Sequence, residues 1–208
     1  MIVTERLNII PLERRHIFQL RKIRLEFNTW HYLTDPHPIN DLQQEKWFER
    51  MSNDPTKMYF AIEGKESIVD KGKLSINKGK INKTDLGKLK ELSEVWNIEG
   101  KFIGILRADE YDRTNRSIRI GVDIDKSERN KGYGTEAMKA FMDYLFKHLN
   151  IHMIWLLVAE SNLPAIKLYA KVGFKRKGVN RQALFRDGKW INYELWNILE
   201  AEWKINTK

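Results

Sequence analysis

The chain has 208 residues and a formal net charge of +9, a length that suits one large domain with its own core. It has no cysteine, which excludes disulfides, cysteine zinc sites and thiol nucleophiles and fits an intracellular protein. Seven Trp, seven Tyr and nine Phe argue against disorder, and no stretch approaches the ~18 uninterrupted apolar residues of a membrane span.

Met1 to Arg6 contains no apolar run of signal-peptide length, so a cytoplasmic location is expected. The positive charge has two readings, a solvated lysine-rich surface or an anionic partner such as a polyphosphate cofactor, RNA or an acidic protein. Charge alone does not choose between them, and the solvated surface is the simpler of the two.

In chain order, residues 3 to 10 read as a first strand, with Leu7, Ile9 and Ile10 as its apolar positions. Pro11 is expected to open a helix, where its missing N–H costs nothing. Ile17, Leu20 and Phe27 would form one stripe of that helix. Asp35-Pro36-His37-Pro38 breaks the pattern. Asn40 or Asp41 can cap a second helix reaching about Met51, with Leu42, Trp47 and Phe48 expected to be buried. Met58 to Ile62 reads as a strand.

Residues 64–93 hold eight lysines against four acidic residues, with Gly72, Gly79 and Gly87 spaced among them. Leu74, Ile76 and Ile81 alternate weakly, as in a short hairpin. The segment is too short and polar for its own core and reads as an insertion between strands. Regular pattern returns at Val95 to Ile98, followed by a turn at Glu99-Gly100-Lys101 and a strand at Phe102 to Leu106.

Ser117 to Asp125 alternates as a strand through Ile118, Ile120, Val122 and Ile124. Thr135 to His148 shows helical spacing of Ala137, Met138, Phe141, Met142, Leu145 and Phe146. Ile151 to Ala159 is almost continuously apolar, as a buried strand should be. A helix over Pro164 to Lys171 has Ser161 or Asn162 as its cap and ends at Gly173. Asp187-Gly188 marks a hairpin within Leu184 to Leu195. The order predicts an α/β chain with a mixed, mostly antiparallel sheet, in which the strand–helix–strand around Gly132 makes a parallel crossover.

The segment richest in chemistry lies between the 117–125 strand and the 135–148 helix. Arg129-Asn130-Lys131-Gly132-Tyr133-Gly134-Thr135 is a short basic loop with two glycines leading into a helix N-terminus. Such a loop turns several backbone N–H groups toward one point, where the helix dipole adds positive potential. It suits a pyrophosphate, with Arg129 and Lys131 adding formal charge. It matches neither the dinucleotide G-x-G-x-x-G motif nor the Walker P-loop, and ordinary turn glycines remain the alternative.

A second segment makes the loop specific. Asn162, Ala165, Leu168, Tyr169, Gly173 and Phe174 fall at the spacing N-x-x-A-x-x-[LF]-Y-x-x-x-G-F, while Arg129, Gly132 and Gly134 fit [RQ]-x-x-G-x-[GA]. This pairing resembles the GNAT superfamily of acyl-CoA N-acyltransferases. The likeness runs over roughly residues 3 to 200 apart from the insertion and is most specific over 118 to 174. Trp190 to Trp203 looks more loosely like the branch of ribosomal-protein N-terminal and spermidine acetyltransferases.

The resemblance implies one acetyltransferase domain over 1–208: a mixed, mostly antiparallel central sheet flanked by helices, with a splayed parallel strand pair at the cofactor site. It implies acetyl-CoA as co-substrate, a primary amine as acceptor (a protein N-terminus or a small-molecule amine) and direct acetyl transfer without a metal. Arg129 through Thr135 would hold the pyrophosphate. Val122, Asp123 and Ile124 would pair with the pantetheine arm and polarise the acetyl carbonyl. Tyr169 would return a proton to the leaving thiolate, its rival reading being a core aromatic. Asn162 would bond the pantetheine region or simply cap its helix. The general base stays open among Asp123, Asp109 and Glu110, each of which also reads as a solvated charge. Trp30, His31, Tyr32 and Asp35, with His37 nearby, are acceptor-side positions. The competing reading is a non-catalytic coenzyme A or RNA/ribosome-docking module using the lysine-rich insertion. Nucleic acid is not specifically indicated, because no aromatics interleave those lysines. No membrane partner is expected, and a homodimer is left open.

Overall fold

The computed structural model describes residues 1–33, 35, 37–65 and 100–206. Beyond Lys65 the expected insertion lies outside the described residues, as does the expected strand at 95–98.

The first strand is two. β1 (Ile2–Val3) and β2 (Leu7–Pro11) form an antiparallel hairpin. Thr4 closes its turn, donating its N–H to the Leu7 carbonyl and accepting the Leu7 N–H on its hydroxyl, both at 3.0 Å. Pro11 ends β2 opposite Phe60 and does not open a helix. On its other side β1 pairs only as far as Ile9, so the missing N–H breaks no ladder. The helical path starts at Glu13, whose capping box with His16 leads through a 3-10 turn into α1 (Ile17–Leu25). Ile17, Leu20 and Ile23 are its buried face. Glu26 is extended and stops the helix, so Phe27 falls in α2 (Phe27–Trp30) and is exposed.

Asn40 caps α3 (Asp41–Ser52), accepting the Gln43 N–H at 2.9 Å while the Gln43 side chain accepts its own N–H. Of the three apolar positions expected to be buried there, Leu42 is exposed. Trp47 and Phe48 pack on the sheet.

Then follow β3 (Met58–Gly64), β4 (Lys101–Asp112), β5 (Ser117–Ile124), α4 (Tyr133–His148), β6 (Met153–Ala159), α5 (Leu163–Lys171), β7 (Lys175–Arg186), β8 (Lys189–Leu199) and α6 (Glu200–Asn206). The β7–β8 turn at Asp187-Gly188 has positive φ at both residues, as a two-residue hairpin of right-handed twist requires.

The strands form one sheet in the order β1-β2-β3-β4-β5-β6-β8-β7, antiparallel throughout except for β5 and β6. Period-2 alternation sends Ile62 and Leu106 into the main core with α4, and Ala61 and Ile105 to the opposite face with Leu20 and Met51. Helices therefore cover both faces. The predicted stripe of α4 is all buried, from Ala137 to Phe146.

Phe141 is fully buried, with its ring 5.3 Å from that of Phe60. Phe141→Ala should lower unfolding free energy by about 3–5 kcal/mol in urea titrations. Phe18→Ala, at a 56% exposed position, should change it by less than about 1 kcal/mol.

Candidate active site

The site starts from a sheet defect. β5 and β6 pair in register only at Ser117–Met153, Ile118–Ile154 and Arg119–Trp155. β5 continues to Ile124 on β4, and β6 continues to Ala159 on β8. Past Arg119 the two strands part, and each keeps a free edge of backbone groups. A cleft of about 770 Å³ occupies the gap. Val122, Asp123 and Ile124 line one wall, Leu157 to Ala159 the other, and Tyr169 and the 129–135 loop also face it.

The loop is shaped by its own turn chemistry. Asp125 accepts the Ser127 N–H at 2.9 Å and its hydroxyl at 2.7 Å, fixing a 3-10 turn over Lys126–Glu128. Asn130 and Gly132 then take positive φ, 63° and 84°. That double reversal feeds directly into α4, with Gly132 as N-cap. Among the described residues, none accepts a hydrogen bond from the backbone N–H groups of Asn130 through Thr135. Such a set of donors at a helix N-terminus is an anion cradle.

The loop's cations are spoken for. Arg129 donates to both Glu26 carboxylate oxygens (3.2 and 2.7 Å), to the Thr29 hydroxyl (3.0 Å) and to the Ile124 carbonyl (3.0 Å). Lys131 pairs with Glu128 at 3.0 Å, and Lys101 reaches the same carboxylate at 2.6 Å. Burial alone would raise the Glu128 carboxyl, but hydrogen bonds from Lys101, Lys131 and Ser127 hold it below the usual carboxylate range. The Arg129 and Lys131 side chains therefore brace the loop, and its anion-binding capacity rests mainly on backbone donors and the helix dipole.

Arg6 completes the brace. It donates to the Lys131 carbonyl at 3.0 Å, pairs with Glu136 at 2.6 Å and lies 4.6 Å over the Tyr133 ring. Sequence reasoning singled out neither Arg6 nor Glu26. Their partners lie 125 or more and 103 residues away, so no local pattern points to them.

α5 brings Tyr169 to the cleft. Asn162 caps the helix, accepting the Ala165 N–H at 3.3 Å, and it also lines the cleft. The Tyr169 hydroxyl is pushed up to about 12, chiefly by burial; the Asp123 charge adds to this and the Arg107 charge opposes it. Arg107 and Asp123 form an ion pair at 3.2 Å in the same wall.

The other acidic positions lie elsewhere. Asp109 and Glu110 are both held by Arg119, at 2.5 and 2.8 Å, and do not line the cleft. Of the acceptor-side residues, Tyr32 lines the cleft, while Trp30, Asp35 and His37 line an adjoining chamber of about 300 Å³. His31 lines neither; its ring packs among Phe27, Trp30 and Tyr32. Among the described residues no group of three or more His, Asp or Glu side chains could hold a metal.

A splayed parallel pair, a donor cradle and a buried tyrosine on one cleft make a site for an extended ligand with an anionic end. Residues 6–175 match the acetyltransferase (GNAT) domain family, and the chain belongs to it. An uncharacterized N-acetyltransferase of Bacillus subtilis is 32% identical over 84 residues, covering 40% of this chain and 49% of that protein. The spermidine N(1)-acetyltransferase of Escherichia coli is 31% identical over 94 residues, 45% of this chain and 50% of that protein. The chain thus spans about half the length of the curated relatives it matches. In fold it is similar to the crystal structure of spermidine N-acetyltransferase from Vibrio cholerae in complex with CoA and spermine. That likeness has a TM-score of 0.76 at 20% identity and covers 97% of this chain and 99% of the other.

Gly132→Ala should cost about 1–2 kcal/mol in thermal or urea unfolding, because φ is +84° there. A Cβ at Gly178 would meet nothing within 4 Å, and Gly178→Ala should be neutral or slightly stabilising.

Proposed function

We propose that the protein is an N-acetyltransferase that moves an acetyl group from acetyl-CoA to a primary amine, either a protein N-terminus or a small-molecule amine. The observation that carries this reading is the convergence of the free β5 edge, the N–H cradle and the Tyr169 hydroxyl on one cleft. The complex with CoA named for the Vibrio cholerae neighbour supports coenzyme A as the ligand.

In this reading the pyrophosphate lies on the N–H groups of Asn130 through Thr135, and the pantetheine arm pairs with β5 as an added strand. A backbone N–H in the Val122–Ile124 stretch polarises the acetyl carbonyl and stabilises the oxyanion that forms there. The amine lone pair attacks the carbonyl carbon, the C–S bond breaks, and its electron pair leaves on sulfur. Tyr169 donates its proton to that sulfur as a hydrogen bond or by transfer. Pushed up to about 12, the phenol keeps its proton through the range, about pH 10, in which alkyl amines lose theirs. Asp123 lines the same wall as this chemistry and attracts the incoming ammonium. The amine's surplus proton leaves to water in the open cleft, which also restores any proton Tyr169 has given.

A coenzyme A-binding module without catalysis would share the cradle but release no thiol in the presence of an amine. Thiol release from acetyl-CoA on adding an amine separates the two readings, and Tyr169→Phe then tests the acid. It should slow acetyl transfer by about 10²-fold or more, while the affinity for acetyl-CoA measured by calorimetry stays within about threefold. Unchanged turnover would remove Tyr169 from the acid role. The raised phenol also sets the pH profile. Its proton is lost only above the ordinary tyrosine value, so kcat should not fall from about pH 7 to about pH 10. A falling limb in that interval that disappears in Tyr169→Phe would contradict the assignment.

A further inference from the structure

One guanidinium in the cleft and one in the adjoining chamber have unequal partners. Arg107 lines the cleft and pairs with Asp123, yet its Nε is buried with no hydrogen-bond partner. It lies flat against Gly121, where a Cβ would come within 2.9 Å of Nη2, so the bare backbone of β5 holds it in place. Arg24, on the C-terminal turn of α1, lines the adjoining chamber and makes no hydrogen bond or ion pair among the described residues. Leu33 lines both spaces, so the chamber adjoins the cleft. Burial and the like charge of Arg107 both lower the Arg24 guanidinium, while Asp123 and Asp35 oppose them. Asp35 is the carboxylate inside the chamber, and His37 occupies its Oδ1 through both backbone N–H and ring.

Arg24 is therefore a half-buried cation without a partner, beside a second cation whose Nε lacks an acceptor. A further ammonium, as on a polyamine, would meet this unpaired charge. A carboxylate would supply the acceptor that Arg24 lacks, and its guanidinium hydrogen bonds would be charge-assisted. Asp123, on the cleft side, faces the amine end. We propose that the acceptor amine carries a carboxylate, which Arg24 and Arg107 bind where the side chamber meets the cleft. This rests on the acetyltransferase reading and narrows it to amino-acid-like acceptors. The chamber walls, with Leu25, Trp30, Leu33, Pro38 and Ile39, suit an apolar side chain.

The test measures coenzyme A release from acetyl-CoA with acceptors that differ only at the carboxylate. Leucine and leucinamide form the central pair; leucylglycine places the carboxylate one residue further out, and spermidine has none. Leucine or leucylglycine should exceed leucinamide and spermidine in kcat/KM by about tenfold or more, and which of the two leads tells a free amino acid from a peptide. In Arg24→Gln the gap should close through a raised KM for the acid with little change for the amide. Arg24→Lys, which keeps the charge, should restore part of it. Amide or spermidine used as well as the acids, or a gap that persists in Arg24→Gln, overturns the inference and leaves the acetyltransferase reading standing. Acetyl transfer to no amine at all removes both.

Discussion

The site depends on the point at which β5 and β6 stop pairing. Three in-register pairs hold the two parallel strands together, and past Arg119 each is committed to a different neighbour, β4 or β8. A sheet cannot leave buried backbone groups unpaired without cost. The residual edges of 120–124 and 156–159 are therefore tolerated where a cleft reaches them, and they offer an extended ligand the hydrogen bonds a strand would make. α4 follows from β5 and α5 from β6, so both helix N-termini fall at the mouth of the same gap. The splay, the cradle and Tyr169 are in this sense one feature of chain topology.

Charge in the loop acts differently from its composition. Arg129 and Lys131 read as cations for a phosphate, but Glu26 and Glu128 neutralise them. A guanidinium with four donor contacts is a fixed strut. It ties the segment between α1 and α2 to the end of β5, so those helices and the cradle share one brace. Arg6 does the same from the N-terminal hairpin through Lys131 and Glu136. An anion at this loop would meet backbone N–H groups already held in an arc, which would need little reorganisation on binding.

Much of this was legible in the residues, and the reasons are local. The α4 stripe, the apolar run of β6, the Asn40 and Asn162 caps and the Asp187-Gly188 turn are all set by periodicities or turn chemistry within a few residues. The mixed, mostly antiparallel sheet followed from their order. Pro11 stands where a helix start is common, yet it ends β2 past the point where β1 stops pairing, which leaves its missing donor harmless. Phe27 left the α1 stripe because extended Glu26 interrupts the helix. The struts from Glu26 and Arg6, and the neighbourhood of Arg24 and Arg107, join residues far apart in the chain. No spacing rule reaches them. His31, grouped with the acceptor-side residues by position, lines neither cavity and packs against Phe27, Trp30 and Tyr32.

The central claim is that six consecutive backbone donors at the start of α4 receive the anionic end of acetyl-CoA. Amide spectra of the isotope-labelled protein test it most directly. Titration with acetyl-CoA should move the resonances of Asn130 through Thr135 together with those of Val122 to Ile124, at one common affinity. Binding that leaves these amides unmoved while shifting others, or no binding at millimolar acetyl-CoA, would contradict the account.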